Sequence, residues 1–308
     1  MKALIAPCYY PAFSCIADRC KNNCCIGWEI DIDPKTYKNY QMLSGALGKR
    51  METALSLEGG TPHFKLDAKE RCPFLAENGL CEIISELGEG ALCNICKDHP
   101  RFRNHYSGAI EIGLGLCCEE AARLILTQTE KMHLISLDSK EEQYNEEERI
   151  LLSFRNELFE ILQNRCIPFH SRINQIADRG RLILPSPSRY LSILKETERM
   201  DPSFNRTLDQ IICEKWPIFH AKDWELPMEQ LAIYFLYRHI SGALEDGFLR
   251  ERIAFVLLST LTIATITMQQ ADCDFPLELL IDTARIYSSE IEYSDRNLEM
   301  ILSSLRLS

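Results

Sequence analysis

Eleven of the fourteen cysteines in this 308-residue chain fall within its first 118 positions, and this asymmetry constrains the fold more than any other feature. Cys8, Cys15, Cys20, Cys24, Cys25, Cys72, Cys81, Cys93, Cys96, Cys117 and Cys118 lie early, and only Cys166, Cys213 and Cys273 follow. The spacing Cys15-x4-Cys20-x3-Cys24-Cys25 sets four thiols among Asp18, Arg19, Lys21, Asn22 and Asn23, a segment too polar to fold around its own apolar contacts. Cysteines that act as small hydrophobes sit singly on apolar faces, and these do not. Metal-held thiolates are the reading that fits. Further on, Cys72-x8-Cys81 precedes Cys93-x2-Cys96, where two intervening residues let one turn present both sulfurs to one ion. His99 would extend that pair with a nitrogen ligand. A donor pool that is nearly all sulfur leans toward iron and sulfide, with zinc as the alternative, because both accept four thiolates.

The compartment expected of the chain supports reduced thiols. Pro7 and Pro11 interrupt the short N-terminal apolar run before it reaches the length of a secretory signal. The longest apolar stretch, Ile253 to Met268, falls short of the roughly 20 residues that a bilayer span needs. A cytoplasmic protein with no membrane partner is therefore expected, and in that compartment a disulfide framework is disfavoured. With a net charge of −11 the chain repels a phosphate backbone, which argues against nucleic acid as a partner.

The fold class expected is mainly α: a small cysteine-rich α+β metal-binding module over residues 1–135, then a helical array over 136–308. Trp28 to Asp33 alternates as a strand should, and Pro34 suits the first turn of a helix over about 35–55. Asn78-Gly79 between short apolar runs predicts a tight hairpin turn. Ala109 to Leu116 reads as a strand feeding a helix from Glu119 to Thr127. Beyond the acidic run Asp138 to Glu148, helices are predicted over 143–164, 171–180, 188–200, 205–215, 226–245, 248–270, 275–289 and 294–306.

Two cofactor motifs were weighed on the residues alone. Cys20 and Cys24 give the first interval of a radical-type C-x3-C-x2-C loop, but Gly27 stands where its third sulfur belongs. Glu111-Ile112-Gly113-Leu114-Gly115 is similar to the acidic-x-Gly-x-Gly turn with which Rossmann-type methyltransferases hold S-adenosylmethionine. No further βα units follow it, so a strand entering a cysteine-bearing loop is expected instead.

The phrases that carry the cysteines resemble a family. They are Pro7-x-Tyr9-Tyr10-x-x-Phe13, the Cys15 to Cys25 cluster running into Gly27-Trp28, Arg71-Cys72-Pro73-Phe74-Leu75, Leu80-Cys81-Glu82-Ile83, Leu87-Gly88-Glu89, Cys96-Lys97-x-x-Pro100-Arg101 and Cys118-x-Glu120-Ala121-Ala122-Arg123-Leu124. Together they resemble the flagellin lysine N-methylase family, with its zinc- or iron-chelating cysteine-cluster domain. The resemblance implies a protein-lysine N-methyltransferase that acts on flagellin, uses S-adenosylmethionine and carries a cysteine-ligated iron-sulfur centre of the 4Fe-4S kind, or zinc. It implies as ligands Cys15, Cys20, Cys24, Cys25, Cys72, Cys81, Cys96 and Cys118, enough for two four-thiolate centres. Cys93 and Cys117 stand where the family commonly has Ser, His99 where it has Tyr, and Glu119 where it has Pro. Tyr9, Tyr10 and Glu29 lie next to the cysteines in sequence as candidate bases, but packing or solvation accounts for each, so no catalytic base is assigned. The rival reading is a non-catalytic zinc- or iron-binding interaction protein.

Overall fold

A computed structural model describes residues 2–27, 29–219, 222–271 and 275–306; Trp28 and Cys273, both named above, lie outside the described residues. The chain forms two units: Met1–Phe13 together with Phe102–Ser308, and Ser14–Arg101. This division differs from the boundary expected at 135/136. The reason is strand pairing. Ala3–Pro7 is apolar on both faces, as a strand flanked on two sides must be, and it pairs parallel with Ala109–Leu114 in the register Ala3↔Ala109 and Ile5↔Glu111. On its other edge it pairs antiparallel with Leu134–Ser136. Arg101–His105 completes the four-stranded sheet beside Ala109–Leu114. The first thirteen residues and those from 102 to 135 therefore belong with the helices.

That larger unit is mainly α. Glu146–Leu162 opens on a capping box, in which the Asn145 side chain accepts the Glu148 amide while the Glu148 carboxylate accepts that of Asn145. Leu249–Gln270 is the central helix and is buried continuously from Ile253 to Thr267. By length and composition it would suffice to cross a membrane, yet 83% of its most apolar window lies inside the fold. Three of its buried hydroxyls are satisfied one turn back: Thr260, Thr265 and Thr267 donate to the carbonyls of Val256, Leu261 and Ile263 at 2.7–2.8 Å. Ser259 shares a hydrogen bond with the Tyr287 hydroxyl at 2.9 Å, and Thr262 makes none among the described residues, so four of the five hydroxyl residues between Ile253 and Met268 find partners inside the core. The other predicted helices are present with shifted ends, as Glu146–Leu162, Phe169–Arg179, Pro187–Lys195, Pro202–Gln210, Lys222–His239, Leu277–Tyr287 and Asp295–Arg306.

Sheet and helices are joined by a buried ion pair. Glu111 on the strand accepts two hydrogen bonds from Arg155 of the Glu146–Leu162 helix, at 2.6 and 2.7 Å, and a third from the Tyr106 hydroxyl at 3.1 Å. Gly113 is small for a packing reason, since a Cβ there would stand 2.3 Å from the Phe102 ring. The Glu111-x-Gly113-x-Gly115 motif thus serves an ion pair and a close ring contact, and the strand runs into the loop that holds Cys117 and Cys118, as expected.

In the smaller unit, the helix expected over 35–55 is broken into Pro34–Gln41 and Gly45–Ala54. Over the described part of the strand expected at 28–33, one bridge forms, Asp31↔His63, flanked by the Ile32 amide donating to Pro62 and the Phe64 amide donating to Ile30, and the Ile30 and Ile32 side chains enter a small core. The hairpin turn is present: the Gly79 amide donates to Ala76 and that of Ala76 to Leu80, with Gly79 at φ +80°, but the flanking arms share one bridge, Leu75↔Cys81. The core holds Tyr40, Met51, Phe64, Phe74 and Ile83, with Phe64 stacked 5.9 Å from Tyr40 and tilted 5.1 Å from Phe74.

Glu111→Gln leaves the Arg155 guanidinium, 2% exposed, without a counter-charge. The expected cost is about 3–5 kcal/mol of unfolding free energy. Urea unfolding of the two proteins checks it, and a loss below about 1 kcal/mol, the worth of a surface pair, would mean that no buried pair exists.

Candidate metal centre

Eight cysteines belong to the Ser14–Arg101 unit, and three short structural devices bring most of them into one cluster. In the first, the chain around Cys25 lies against the chain around Cys72: the Cys72 amide donates to the Cys25 carbonyl at 2.8 Å, Ile26 bridges Arg71, and the Gly27 amide reaches Glu70 at 3.0 Å. Asp67 shapes the approach, accepting the amides of Lys69 and Arg71. The Asn78-Gly79 turn is the second device, returning the chain so that Cys81 faces Leu75 across its bridge. In the third, Cys93 and Cys96 flank the start of Asn94–Asp98. There the Asp33 carboxylate joins two helix starts, accepting the Thr36 amide of Pro34–Gln41 and the Asn94 amide, both at 3.0 Å. Partial burial raises the Asp33 pKa, but these amides outweigh it and hold the carboxyl below its ordinary value.

Cys72 and Cys93 are buried in the small core, with Cys25, Cys81 and Cys96 packed against it. Each of these sulfurs lies within electrostatic reach of others. A hydrogen bond from Cys25 lowers the Cys24 thiol to about 7, while Cys25, through that bond, its burial and the charges of Cys24, Cys72 and Cys81, is held far above its usual value. Cys93 and Cys96 repeat the arrangement: the bond from Cys96 lowers Cys93 to about 7, and Cys96 keeps its proton. Burial pushes Cys72 up to about 11, with Cys81, Cys93 and Cys24 adding repulsion. In each bonded pair one thiol, Cys24 or Cys93, is thus lowered toward neutrality while its partner is raised. Thiolates are what thiophilic metals bind. Among the described residues, no three Cys, His, Asp or Glu side chains stand in ligating geometry around one point.

The remaining sequence-assigned ligands are placed differently. Cys15 is exposed, and its sulfur accepts the Ala17 amide at 3.4 Å. Cys20 is half-buried and donates to the Asn22 carbonyl at 3.3 Å. Cys118 belongs to the larger unit, where it precedes Glu119–Leu126. His99 is half-buried in the smaller unit, and desolvation, with Arg101 nearby, lowers it to about 4, so it is neutral. Of the candidate bases, Tyr9 and Tyr10 belong to the larger unit; burial, reinforced by Cys8, raises Tyr9 well above its ordinary value. Glu29 is exposed, 3.2 Å from the His63 ring.

One buried constellation gave no sequence signal. At the five-residue π-helical turn Ser288–Glu292, the fully buried Glu292 accepts from Tyr234 at 3.0 Å, contacts His239 Nε2 at 2.6 Å and pairs with Arg238 at 3.3 Å. The Arg238 guanidinium stands 4.6 Å from the Tyr293 ring centre and 5.0 Å from that of Phe102. Cys117 is hydrogen-bonded to Tyr293 and pushed up to about 12, chiefly by burial. A cavity of about 510 Å³ opens beyond Tyr293, lined also by Glu198, Arg199, Met200, Ser294 and Asn297. The residues from Glu198 to Asn297 lie about 80 to 180 positions downstream of Cys117, a separation that no local pattern bridges.

Three curated proteins are similar to this chain. The flagellar biosynthetic protein FliU of Salmonella muenchen is 31% identical over 134 residues, covering 42% of this chain and 79% of that protein. Lysine-N-methylases of Salmonella typhimurium and Salmonella choleraesuis match with the same identity over the same length, which is 33% of each, so the match spans a third of these two relatives. No family model matches the chain. No solved structure matches it.

Asp33→Ala is expected to cost about 1–2 kcal/mol, because it uncaps two helix starts at once. A carboxyl with a depressed folded-state pKa stabilises above its unfolded value of ~3.9 and loses that contribution as the pH falls through the folded one. Denaturant unfolding should therefore separate wild type from variant at pH 6 and bring them together at acid pH. A constant gap across that range would contradict the capping role.

Proposed function

Because the chain belongs to the flagellin lysine N-methylase family, that of FliU, we propose that it is a cytoplasmic protein-lysine N-methyltransferase acting on flagellin with S-adenosylmethionine as methyl donor. The convergence of family-matching Cys24, Cys25, Cys72, Cys81 and Cys96 in one small unit is the observation that supports a metal-bearing member of this family. Their donor chemistry suits a thiophilic centre, an iron-sulfur cluster ahead of zinc. These five would hold it, and binding would fold the unit further, since its apolar core is small.

The bound donor supplies a methyl group on a sulfonium. A lysine ε-amine of the substrate, with a reference pKa of ~10.4, would give its proton to water and direct its lone pair at that methyl carbon, the N–C bond forming as the C–S bond breaks and the sulfonium leaves as a neutral thioether. What this chain contributes is long-range attraction, since its excess of eleven negative charges favours a lysine-bearing surface. Tyr9 is unsuited to act as the base, because burial keeps it protonated. The alternative, a non-catalytic zinc- or iron-binding interaction protein, is favoured by one observation: the match extends over only a third of the lysine-N-methylases.

Anaerobic purification, followed by iron, zinc and sulfide analysis and then incubation with labelled S-adenosylmethionine and flagellin, separates the readings. The expected result is iron with acid-labile sulfide and methyl label on flagellin lysines. Zinc without sulfide would defeat the iron-sulfur part. A fully loaded chain that transfers no methyl would leave the interaction protein as the correct reading.

A further inference from the structure

We propose that the cavity of about 510 Å³ beside the π-helical turn binds the adenosyl part of S-adenosylmethionine, with the purine stacked on Tyr293. This rests on the methyl donor proposed above and gives it a place in the chain. The volume falls in the range of roughly 300–1,000 Å³ that small-molecule sites occupy, and it exceeds what one lysine side chain fills. Two buried polar side chains shape the walls. Asn297, 1% exposed, accepts the Glu198 amide at 2.8 Å and donates to the carbonyls of Glu198 and Glu290 at 3.0 and 2.8 Å. Glu290, 2% exposed, accepts the amides of Met200 and Asp201 at 3.0 and 2.8 Å. Residues 198–200, in the turn between Pro187–Lys195 and Pro202–Gln210, are thus fixed to residues 293–297, although Met200 itself is 56% exposed. Polar groups buried to hold an exposed turn add little apolar core. They fix in advance the shape that a ligand meets, which lowers the ordering cost of binding.

The lining selects the ligand. Tyr293 has the Arg238 guanidinium 4.6 Å from its ring centre. The Arg238 side chain is 10% exposed and Tyr293 38%, so the ring surface open to the cavity is the face turned away from that cation. A ring engaged by one cation is a poor seat for a second, since the two repel through it, whereas a neutral purine stacks well on the outer face. A lysine ammonium is therefore the poorer occupant. Glu198, paired with Arg296 at the rim, offers carboxylate oxygens to a ribose diol, as acidic residues do in nucleotide sites. Arg199, held by Asn205 at 2.6 Å and stacked 5.3 Å from the Phe204 ring centre, brings a positive charge suited to the carboxylate of the donor.

Calorimetric titration of the metal-loaded full-length chain with S-adenosylhomocysteine, the thioether product, tests this. Tyr293→Ala should weaken binding about tenfold, and Tyr293→Phe, which keeps the ring, should stay within about twofold of wild type. Met200→Trp, a substitution at an exposed position that fills the cavity, should weaken binding comparably, while Met42→Trp, 74% exposed in the other unit, should change nothing. Wild-type affinity in a folded Tyr293→Ala or Met200→Trp protein would overturn the site and leave the methyltransferase reading intact. Should Tyr293→Ala fail to fold, Met200→Trp decides. Weakened binding of a lysine-bearing flagellin peptide, with S-adenosylhomocysteine unaffected, would assign the cavity to the substrate and refute the proposal. Wild type that binds neither S-adenosylhomocysteine nor S-adenosylmethionine would overturn the donor itself, and the site with it.

Discussion

Parallel pairing of Ala3–Pro7 with Ala109–Leu114 is the constraint on which the rest of the structure depends. It closes a loop on the order of 100 residues, which costs roughly 4 kcal/mol of chain entropy beyond a constant. The compensation is local and apolar: Ala3, Ile5, Ala6, Ala109, Ile112 and Leu114 are all buried. With the chain ends of the loop held in one sheet, residues 14–101 form a unit whose entry and exit both leave from the helical one. The Glu111–Arg155 pair then links that sheet to the first long helix.

The smaller unit solves a different problem. Its aromatic core is modest, and its thiols crowd one another. Crowded sulfurs cannot all ionise without a counter-charge, and hydrogen bonding pairs Cys24 with Cys25 and Cys93 with Cys96. Hydrogen bonding and burial raise Cys25 and Cys96, burial chiefly raises Cys72, and neighbouring sulfurs add repulsion to all three; a cationic centre would relieve that repulsion, with proton release on binding. Asp33 matters here although it carries no metal chemistry, because its carboxylate sets the direction of the Cys93–Cys96 turn.

In the helical unit buried charges are either paired or held by amides and hydroxyls, as Glu148 and Glu290 are. Arg172 meets Glu229 at 2.7 Å, and Glu292 gathers Arg238, His239 and Tyr234 at the π-helical turn. Such turns occur often at functional positions. Cys117, which stands where the family commonly has Ser, touches that constellation through Tyr293, so two adjacent cysteines, Cys117 and Cys118, stand at the junction of the sheet loop and the helical core.

Read from residues alone, the chain disclosed its mainly α character, the strand at 109–114, the helices of the second half, the turn at Asn78-Gly79 and the importance of the early cysteines, because each depends on periodicity, turn chemistry or composition within a short window. The resemblance carried by Cys24, Cys25, Cys72, Cys81 and Cys96 was equally local. Tertiary structure alone decided three other matters. It assigned the first thirteen residues to the helical unit, because strand pairing acts over a separation of a hundred residues. It turned Glu111 and Gly113 from a cofactor motif into an ion-pair partner and a contact for the Phe102 ring, because Arg155 and Phe102 arrive from other elements. And it drew Cys93 into the thiol cluster while placing Cys118 in the other unit, since which sulfurs meet depends on where Asp33, Asn78-Gly79 and the Cys25–Cys72 contact turn the backbone.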